Sequence, residues 1–475
     1  MSRRELWGQY EKGGGDYFPL GLLYVAGAAL KAGHDVKIID CRLNAMDAEG
    51  LEALLKVERY DVIGLGECYT ALAHTVFRTA RVCREVQPAA KLIVGGVHVT
   101  LFPRETLEAC PELDICVSGE GEETFVELLD YLRTGGDLGE VKGIAYRSGS
   151  DILQTLPRGG VNDLADLPML PYHLLDVPKY VPPPSNYTRL PTYGFMVQRG
   201  CPFRCSYCDV RVHGRTMRYD KVDRIVEHMK VLKEKYGAKG LLFHDSIMTV
   251  NRKFSAKLFE KMIEEKLSLN WTCYTRVNSI DSELLDLMKR SGCWSISFGL
   301  ESGNDVSLQR MHKQATCEDA VRAVAAVKKA GIQVIGSFIL CLPGEDEEMS
   351  LRTIAFAQKL KLDTAVFFLP VPFPGTELYD VCKEIGGVQD NITWEDYKQW
   401  MDPSNPLWIN PLIGKERMIE IYNTAVREFY LSPKTILRAA LHIRSFSDIR
   451  KYARGALSIS GIVCQSLKRK RKSVE

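Results

Sequence analysis

Two stretches of this 475-residue chain carry the same rhythm, a short β-branched run followed by a helical pattern. In the first, Leu20–Ala32 reads as a helix, Val36–Asp40 as a short buried strand and Leu51–Val57 as a helix. Asp61–Gly66, Lys91–Gly95 and Asp114–Ser118 read as further strands, with helices over Val76–Val86 and Thr124–Leu132. Such alternation predicts an α/β fold with a parallel, doubly wound sheet, because parallel neighbours need a long crossover that a helix supplies. From Tyr193 the rhythm resumes with six strand-like runs: Tyr193–Gln198, Gly240–His244, Trp271–Val277, Trp294–Gly299, Gln333–Leu340 and Thr364–Leu369. Six β-α units predict a partial TIM-like barrel. In both architectures ligands gather at the carboxyl ends of the strands.

The expected division is residues 1–150 for a flavodoxin-like first domain, 151–191 for a linker, 192–400 for the (β/α)6 barrel and 401–475 for a helical extension with a basic tail. Pro157, Pro168, Pro171, Pro178, Pro182, Pro183, Pro184 and Pro191 keep long helices out of the linker and stiffen it. In the extension Met418, Tyr422, Ala425 and Phe429 share one apolar face. Gly455–Leu467 carries no charge and precedes Lys468–Lys472; it reads as a solvated tail, or as a segment that could lie peripherally on a membrane. Net charge is +2, which gives no general case for a nucleic-acid partner. No uncharged apolar run reaches the ~18 residues a membrane span needs. No secretory signal opens the chain, and its 14 cysteines suit a reducing, cytoplasmic setting.

Three of those cysteines fall within eight residues, Cys201, Cys205 and Cys208, spaced C-x3-C-x2-C directly after the first barrel strand. Three thiolates on one loop can hold three irons of a four-iron, four-sulfur cube and leave the fourth iron open to a small molecule. A zinc site is the competing reading, with His213 as a fourth ligand, although zinc pairs usually sit on two arms. Other strand ends are chemically marked too. In the first domain these are Gly66, Glu67, Cys68, Tyr69 and Thr70, then Gly95, Gly96 and His98, then Gly119, Glu120 and Gly121. Their glycines allow close ligand approach or merely tight turns. In the barrel Asp245, Arg276 and Glu301 end strands two, three and four, and Ser337 lies on strand five. Glu301 could cap the next helix instead, and Arg276 could sit in a structural ion pair.

The motif Arg199-Gly200-Cys201-Pro202-Phe203-Arg204-Cys205-Ser206-Tyr207-Cys208, with Gly299-Leu300-Glu301-Ser302-Gly303 downstream, resembles the radical S-adenosylmethionine (SAM) superfamily. The first half, with Pro19–Tyr24, the Gly-Gly-x-His turn and the Gly-Glu-Gly-Glu turn, resembles the cobalamin-binding domain that precedes many of its members. The resemblance implies a 4Fe-4S cluster on the three cysteines, with SAM held by Tyr207, Asp245, Arg276, Glu301 and Ser337, and cobalamin at the strand ends of the first sheet. It also implies an enzyme fed by an electron donor such as ferredoxin or flavodoxin. The implied activity is methylation of an unactivated carbon of a small-molecule or lipid substrate, or oxidative cyclisation of a tetrapyrrole. A non-catalytic cobalamin or metal sensor is the alternative of another class. Two departures carry expectations of their own. Met1–Tyr17 lacks the usual first strand, and no Asp-x-His-x-x-Gly exists, so His34, His74 and His98 leave cobalt without an imidazole from this chain. No general acid or base stands out.

Overall fold

The computed structural model describes residues 14–66, 68–389, 392–399, 402–441, 443, 449 and 452–457. The first sheet holds five strands in sequence order: β1 (Val62–Leu65), β2 (Lys91–Gly95), β3 (Ile115–Val117), β4 (Ile144–Ser148) and β5 (Asp151–Gln154). β1, β2 and β3 pair in parallel, with Ile63 opposite Leu92 and Ile93 opposite Ile115. In the central strand Leu92, Ile93 and Val94 are all buried, as both faces of a parallel strand should be. β3, β4 and β5 run antiparallel, an addition that the helix-strand rhythm does not announce.

Helices α1 (Leu20–Lys31), α2 (Ala48–Val57), α3 (Ala73–Val86), α4 (Val97–Leu101), α5 (Pro103–Ala109) and α6 (Glu122–Thr134) complete this half. Val36–Asp40 is neither a strand nor buried, which corrects the expectation. Among the described residues β1 pairs only with β2, and this segment does not add to its open edge. Ile38 packs sideways against the core of the second half, and Lys37 pairs with Glu58 at 2.6 Å in the open. Most of the Met1–Tyr17 segment lies outside the described residues, and Gly14–Tyr17 forms no strand.

The second sheet contains all six expected runs, each parallel to its neighbours: β6 (Thr192–Phe195), β9 (Gly240–Phe243), β10 (Asn270–Thr275), β11 (Cys293–Glu301), β12 (Gln333–Ile339) and β13 (Thr364–Phe368). A small antiparallel ribbon, β7 (Gln198–Arg199) with β8 (Arg218–Tyr219), stands apart from it. Between these strands lie α7 (Val222–Tyr236), α8 (Arg252–Glu264), α9 (Ser282–Arg290), α10 (Asp305–Arg310), α11 (Cys317–Lys329) and α12 (Glu347–Lys359), and α13 (Glu377–Glu384) follows the last. Asn251, Asp281, Thr316, Asp346 and Thr376 cap α8, α9, α11, α12 and α13 through their side chains. Each satisfies a backbone donor that the first turn leaves unpaired, and so sets where its helix starts.

The linker is packed rather than extended. It makes four short 3-10 turns and buries Tyr172 and Tyr180. Phe18 stacks on Tyr180 and Tyr193 with centroids 4.6 and 5.2 Å apart, while the Tyr172 hydroxyl donates to the Gly194 carbonyl at 2.7 Å. Residues from before α1 thereby enter the core of the second sheet. In the extension α14 (Lys415–Tyr430) buries Met418, Tyr422, Ala425 and Phe429, and α15 (Pro433–Leu441) follows it. The basic run and most of Gly455–Leu467 lie outside the described residues. Among the described residues no helix is long and apolar enough to cross a membrane.

Candidate active site

The β7–β8 ribbon closes residues 200–217 into a loop beyond β6. Gly200 lies at φ 97°, and a Cβ there would sit 2.3 Å from the Thr216 carbonyl oxygen, so the root of the loop requires glycine. On this loop Cys201 is buried, Cys205 partly covered and Cys208 exposed. Arg276, from the end of β10, lays its guanidinium 3.8 Å from the Phe203 ring centre and brings Nη1 to 3.4 Å from the Cys205 sulfur. Its Nε and Nη2 are buried without an acceptor. A buried cation with spare donors beside the Cys205 thiol is an invitation to an anion. His213, the proposed fourth zinc ligand, has its Nδ1 2.8 Å from Glu120 Oε1.

Glu301 ends β11 at φ 64°, where the register with β12 shifts. That irregularity re-aims the carboxylate, as bulges near active sites do. Glu301 Oε1 accepts from the Tyr207 hydroxyl at 2.7 Å and from Lys313 Nζ at 2.8 Å. Lys313 also donates to the Tyr207 oxygen at 3.0 Å. Burial first, then the Glu301 charge, holds the Tyr207 phenol well above its ordinary range, so it stays a donor. A Cβ on Gly299 would lie 2.3 Å from Glu301 Oε1, which explains the glycine two residues earlier. Tyr207 and Glu301 are thus brought together, joining the cysteine loop to a strand end. Lys313 was not foreseen: it follows α10 with no motif around it. The capping alternative for Glu301 finds no support, since α10 has no side-chain cap.

Two barrel expectations change. Asp245 is fully buried, and its Oδ1 accepts from the backbone N–H groups of Val197 and Gln198 at 2.9 and 2.7 Å. Through Oδ1 it fixes the chain entering the cysteine loop, while Oδ2 is buried without a partner. Burial pushes its pKa up to about 7. Between the ordinary carboxylate value of about 4 and that point, the folded state keeps a proton that the unfolded chain releases. Stability from this group is therefore full at low pH and lost as pH rises through about 7. Asp245→Asn keeps the acceptor, so its melting temperature should change less than wild type's across that window. Ser337 is half-buried, with Oγ 3.4 Å from the Phe298 carbonyl. Its neighbour Gly336 is filled in by Leu362 and Leu300, whose methyls lie 2.7 and 2.8 Å from a Cβ built there. Packing accounts for that glycine, rather than room for adenine.

The strand ends of the first sheet divide likewise. A Cβ on Gly66 would meet Leu22 at 2.3 Å, and one on Gly96, at φ 132°, would meet the Cys68 backbone at 2.9 Å. These two glycines serve tight packing. Gly96→Ala should lower stability by about 1–3 kcal/mol, read as a drop in melting temperature. Gly119, at φ 80°, faces open space, and Tyr69 is exposed. Gly95 stands in ordinary contact with Val117. Glu67 lies outside the described residues. His98 is fully buried beside Phe77, Phe102 and Trp394, with Nδ1 3.2 Å from Thr70 Oγ1; burial lowers its pKa to about 4. Its Nε2 has no partner. Glu120 corrects the expectation most clearly. It is buried and turned toward the barrel, where Arg218 and His213 hold it. Gly121 touches Val25.

Two family models match parts of the chain. A family model for the radical SAM superfamily matches residues 195–357, and one for the B12 binding domain matches residues 10–129. An uncharacterized methyltransferase of Pyrococcus horikoshii is 30% identical over 446 residues, covering 93% of this chain and 94% of its own. The chain belongs to the cobalamin-dependent radical SAM enzymes. The anaerobic magnesium-protoporphyrin IX monomethyl ester cyclase of Rubrivivax gelatinosus is 27% identical over 82% of this chain and 70% of its own. Among solved structures, the fold is shared with the radical SAM methyltransferase TsrM from Kitasatospora setae, solved with cobalamin and a 4Fe-4S cluster. The TM-score is 0.69 at 16% identity, over 95% of this chain and 97% of that one.

The residues of this cobalamin-dependent radical SAM enzyme suit its family's cofactors. The unpartnered nitrogens of Arg276 beside Cys205 match an anionic cluster or the carboxylate of SAM. Open backbone at Gly119 and an exposed Tyr69 leave a surface that a ligand as large as cobalamin can use.

Proposed function

We propose that this cobalamin-dependent radical SAM enzyme methylates an unactivated carbon of a small-molecule or lipid substrate. One observation carries the reading: the cysteine loop meets Glu301 on one side and the Ser118–Glu122 turn of the first sheet on the other. Radical generation and a cobalamin held at those strand ends would therefore share one region. When bound, the cluster with SAM supplies a hydrogen-abstracting 5′-deoxyadenosyl radical, and cobalamin supplies the methyl group.

The chain's own part is to bind, orient and exclude water. Cys201, Cys205 and Cys208 would hold the cluster. Arg276, with donors to spare, would take the SAM carboxylate. Glu301, braced by Lys313 and Tyr207, would accept from ribose hydroxyls. Residues 1–150 would carry cobalamin, 192–400 the radical chemistry and 401–475 a supporting extension. A ferredoxin or flavodoxin would supply the electron.

The cyclase relative keeps a tetrapyrrole cyclase as the second reading. The two part in one experiment. Anaerobically reconstituted protein is incubated with dithionite, SAM bearing a trideuterated methyl group, and panels of lipids, tetrapyrroles and small metabolites. Transfer of the labelled methyl to one of them, with 5′-deoxyadenosine formed, is the expected result. SAM cleavage that oxidises a tetrapyrrole without moving the label would replace methylation by cyclisation.

A further inference from the structure

We infer that Glu120 is a positioning residue through which the cobalamin-binding half holds the cluster loop in shape, an inference that rests on the cluster reading of Cys201, Cys205 and Cys208. Glu120 lies one residue beyond Gly119, on the turn between β3 and α6, yet every contact of its carboxylate beyond its own turn runs to the linker or the barrel. Oε2 accepts from the Val161 N–H at 2.7 Å and from Arg218 Nη1 at 2.8 Å. Oε1 accepts from Arg218 Nη2 at 2.6 Å and lies 2.8 Å from His213 Nδ1. Arg199 Nη1 stands 3.3 Å from Oε2, while Arg199 Nη2 reaches Glu122 Oε1 at 2.5 Å.

The sequence positions of these partners give the contacts their meaning. Arg199 is on β7, two residues before Cys201, and Arg218 is on β8, where the loop returns. His213 lies within the loop, five residues past Cys208. One carboxylate of the first domain therefore ties the outgoing stem, the body and the returning stem of the excursion that carries all three cysteines. The glutamates and arginines are balanced, two against two. The side chains of Glu120 and Arg199 are only 2% and 3% exposed, and that of Arg218 13%. Arg199 also lies 4.6 Å from the Tyr24 ring centre, on α1 of the first half. The ribbon at the root of the loop is only two residues long on each strand, and Tyr207 and Cys205 tie its body to the barrel through Glu301 and Arg276. Removing one partner of such a buried set strands the other charges, so the penalty falls on the loop.

The test compares full-length wild type, Glu120→Gln, Arg218→Gln, the double variant and Arg218→Lys, all metal-free, by hydrogen exchange. Peptides spanning residues 199–218 should exchange at least about tenfold faster in each glutamine single variant, with β10–β12 unchanged, because the stranded partner is local. The neutral pair in the double variant should recover part of that protection, a rescue that two unrelated structural losses would not show. Unchanged exchange in 199–218, acceleration spread evenly over both halves, or simple additivity would overturn the inference. Should the glutamine variants fail to fold, Arg218→Lys keeps the charge but loses the two-pronged grip, and must still quicken exchange in the loop. Reconstituted holoprotein separates this inference from the cluster reading. Wild type should hold about four irons, by the ligand count of such cubes, and Glu120→Gln should lose them to a chelator about tenfold faster. A wild type that holds no iron defeats the cluster reading, whereas equal iron release from the two proteins defeats the role of Glu120.

Discussion

Replacing Cys201, Cys205 and Cys208 together by alanine should reduce iron from about four per chain to none and abolish SAM cleavage, because thiolates alone anchor such a cube. The three side chains lie on one loop closed at its root by Gly200. Nearby, Arg276 is a donor with no lone pair to give, and the single imidazole of His213, its Nδ1 beside Glu120, cannot stand in for three thiolates. The fold itself should survive. Cys205 and Cys208 are not in the core, and Cys201 sits at the mouth of the barrel rather than among its central leucines. Iron and acid-labile sulfide analysis, with 5′-deoxyadenosine measured under dithionite, decides the matter. A triple variant that still cleaves SAM would sink the assignment.

Glu301→Gln should weaken SAM binding by about 10- to 150-fold, the equivalent of the roughly 1.5–3 kcal/mol lost with a charged hydrogen-bond acceptor. The amide keeps an oxygen for the Tyr207 hydroxyl but not the charge facing Lys313, which is itself buried. Stability should fall as well, since a lone buried ammonium is poorly tolerated. Pairing the change with Lys313→Met should restore the melting temperature but not the affinity. Iron content should not move in either protein. Undiminished SAM binding with the cluster in place would leave Glu301 with a purely structural task.

The sequence conveys more of the fold than of the site, and the difference has a physical origin. Barrel strands and helices show through local pattern: the β-branched run of β12, or the Thr316 and Asp319 capping box that opens α11. The motif spacing places Cys201, Cys205 and Cys208 on one loop for the same reason. What stays hidden depends on contacts distant in the chain. Lys313 meets Tyr207 across more than a hundred residues, and Glu120 meets Arg218 across nearly as many. Asp245 shows the opposite failure, because a strand-end carboxylate looks alike whether it faces a ligand or two backbone amides. The β4–β5 hairpin is missed because antiparallel additions obey no crossover rhythm.

The Phe18 contact has a bearing on how the chain is made. Its stacking partner Tyr193 belongs to the first strand of the second sheet, with the whole first sheet lying between them in sequence. At roughly 5–20 residues per second, the Phe18 ring waits about 10–35 s before its partner emerges. The N-terminal half thus leaves the ribosome with one side chain still waiting for its place, and folding N-terminus first cannot finish the job. The order of assembly runs backward at this point: the barrel's first strand must arrive before the segment ahead of α1 can settle. A cut at the proline-rich segment would yield two pieces that each lack part of their own interior.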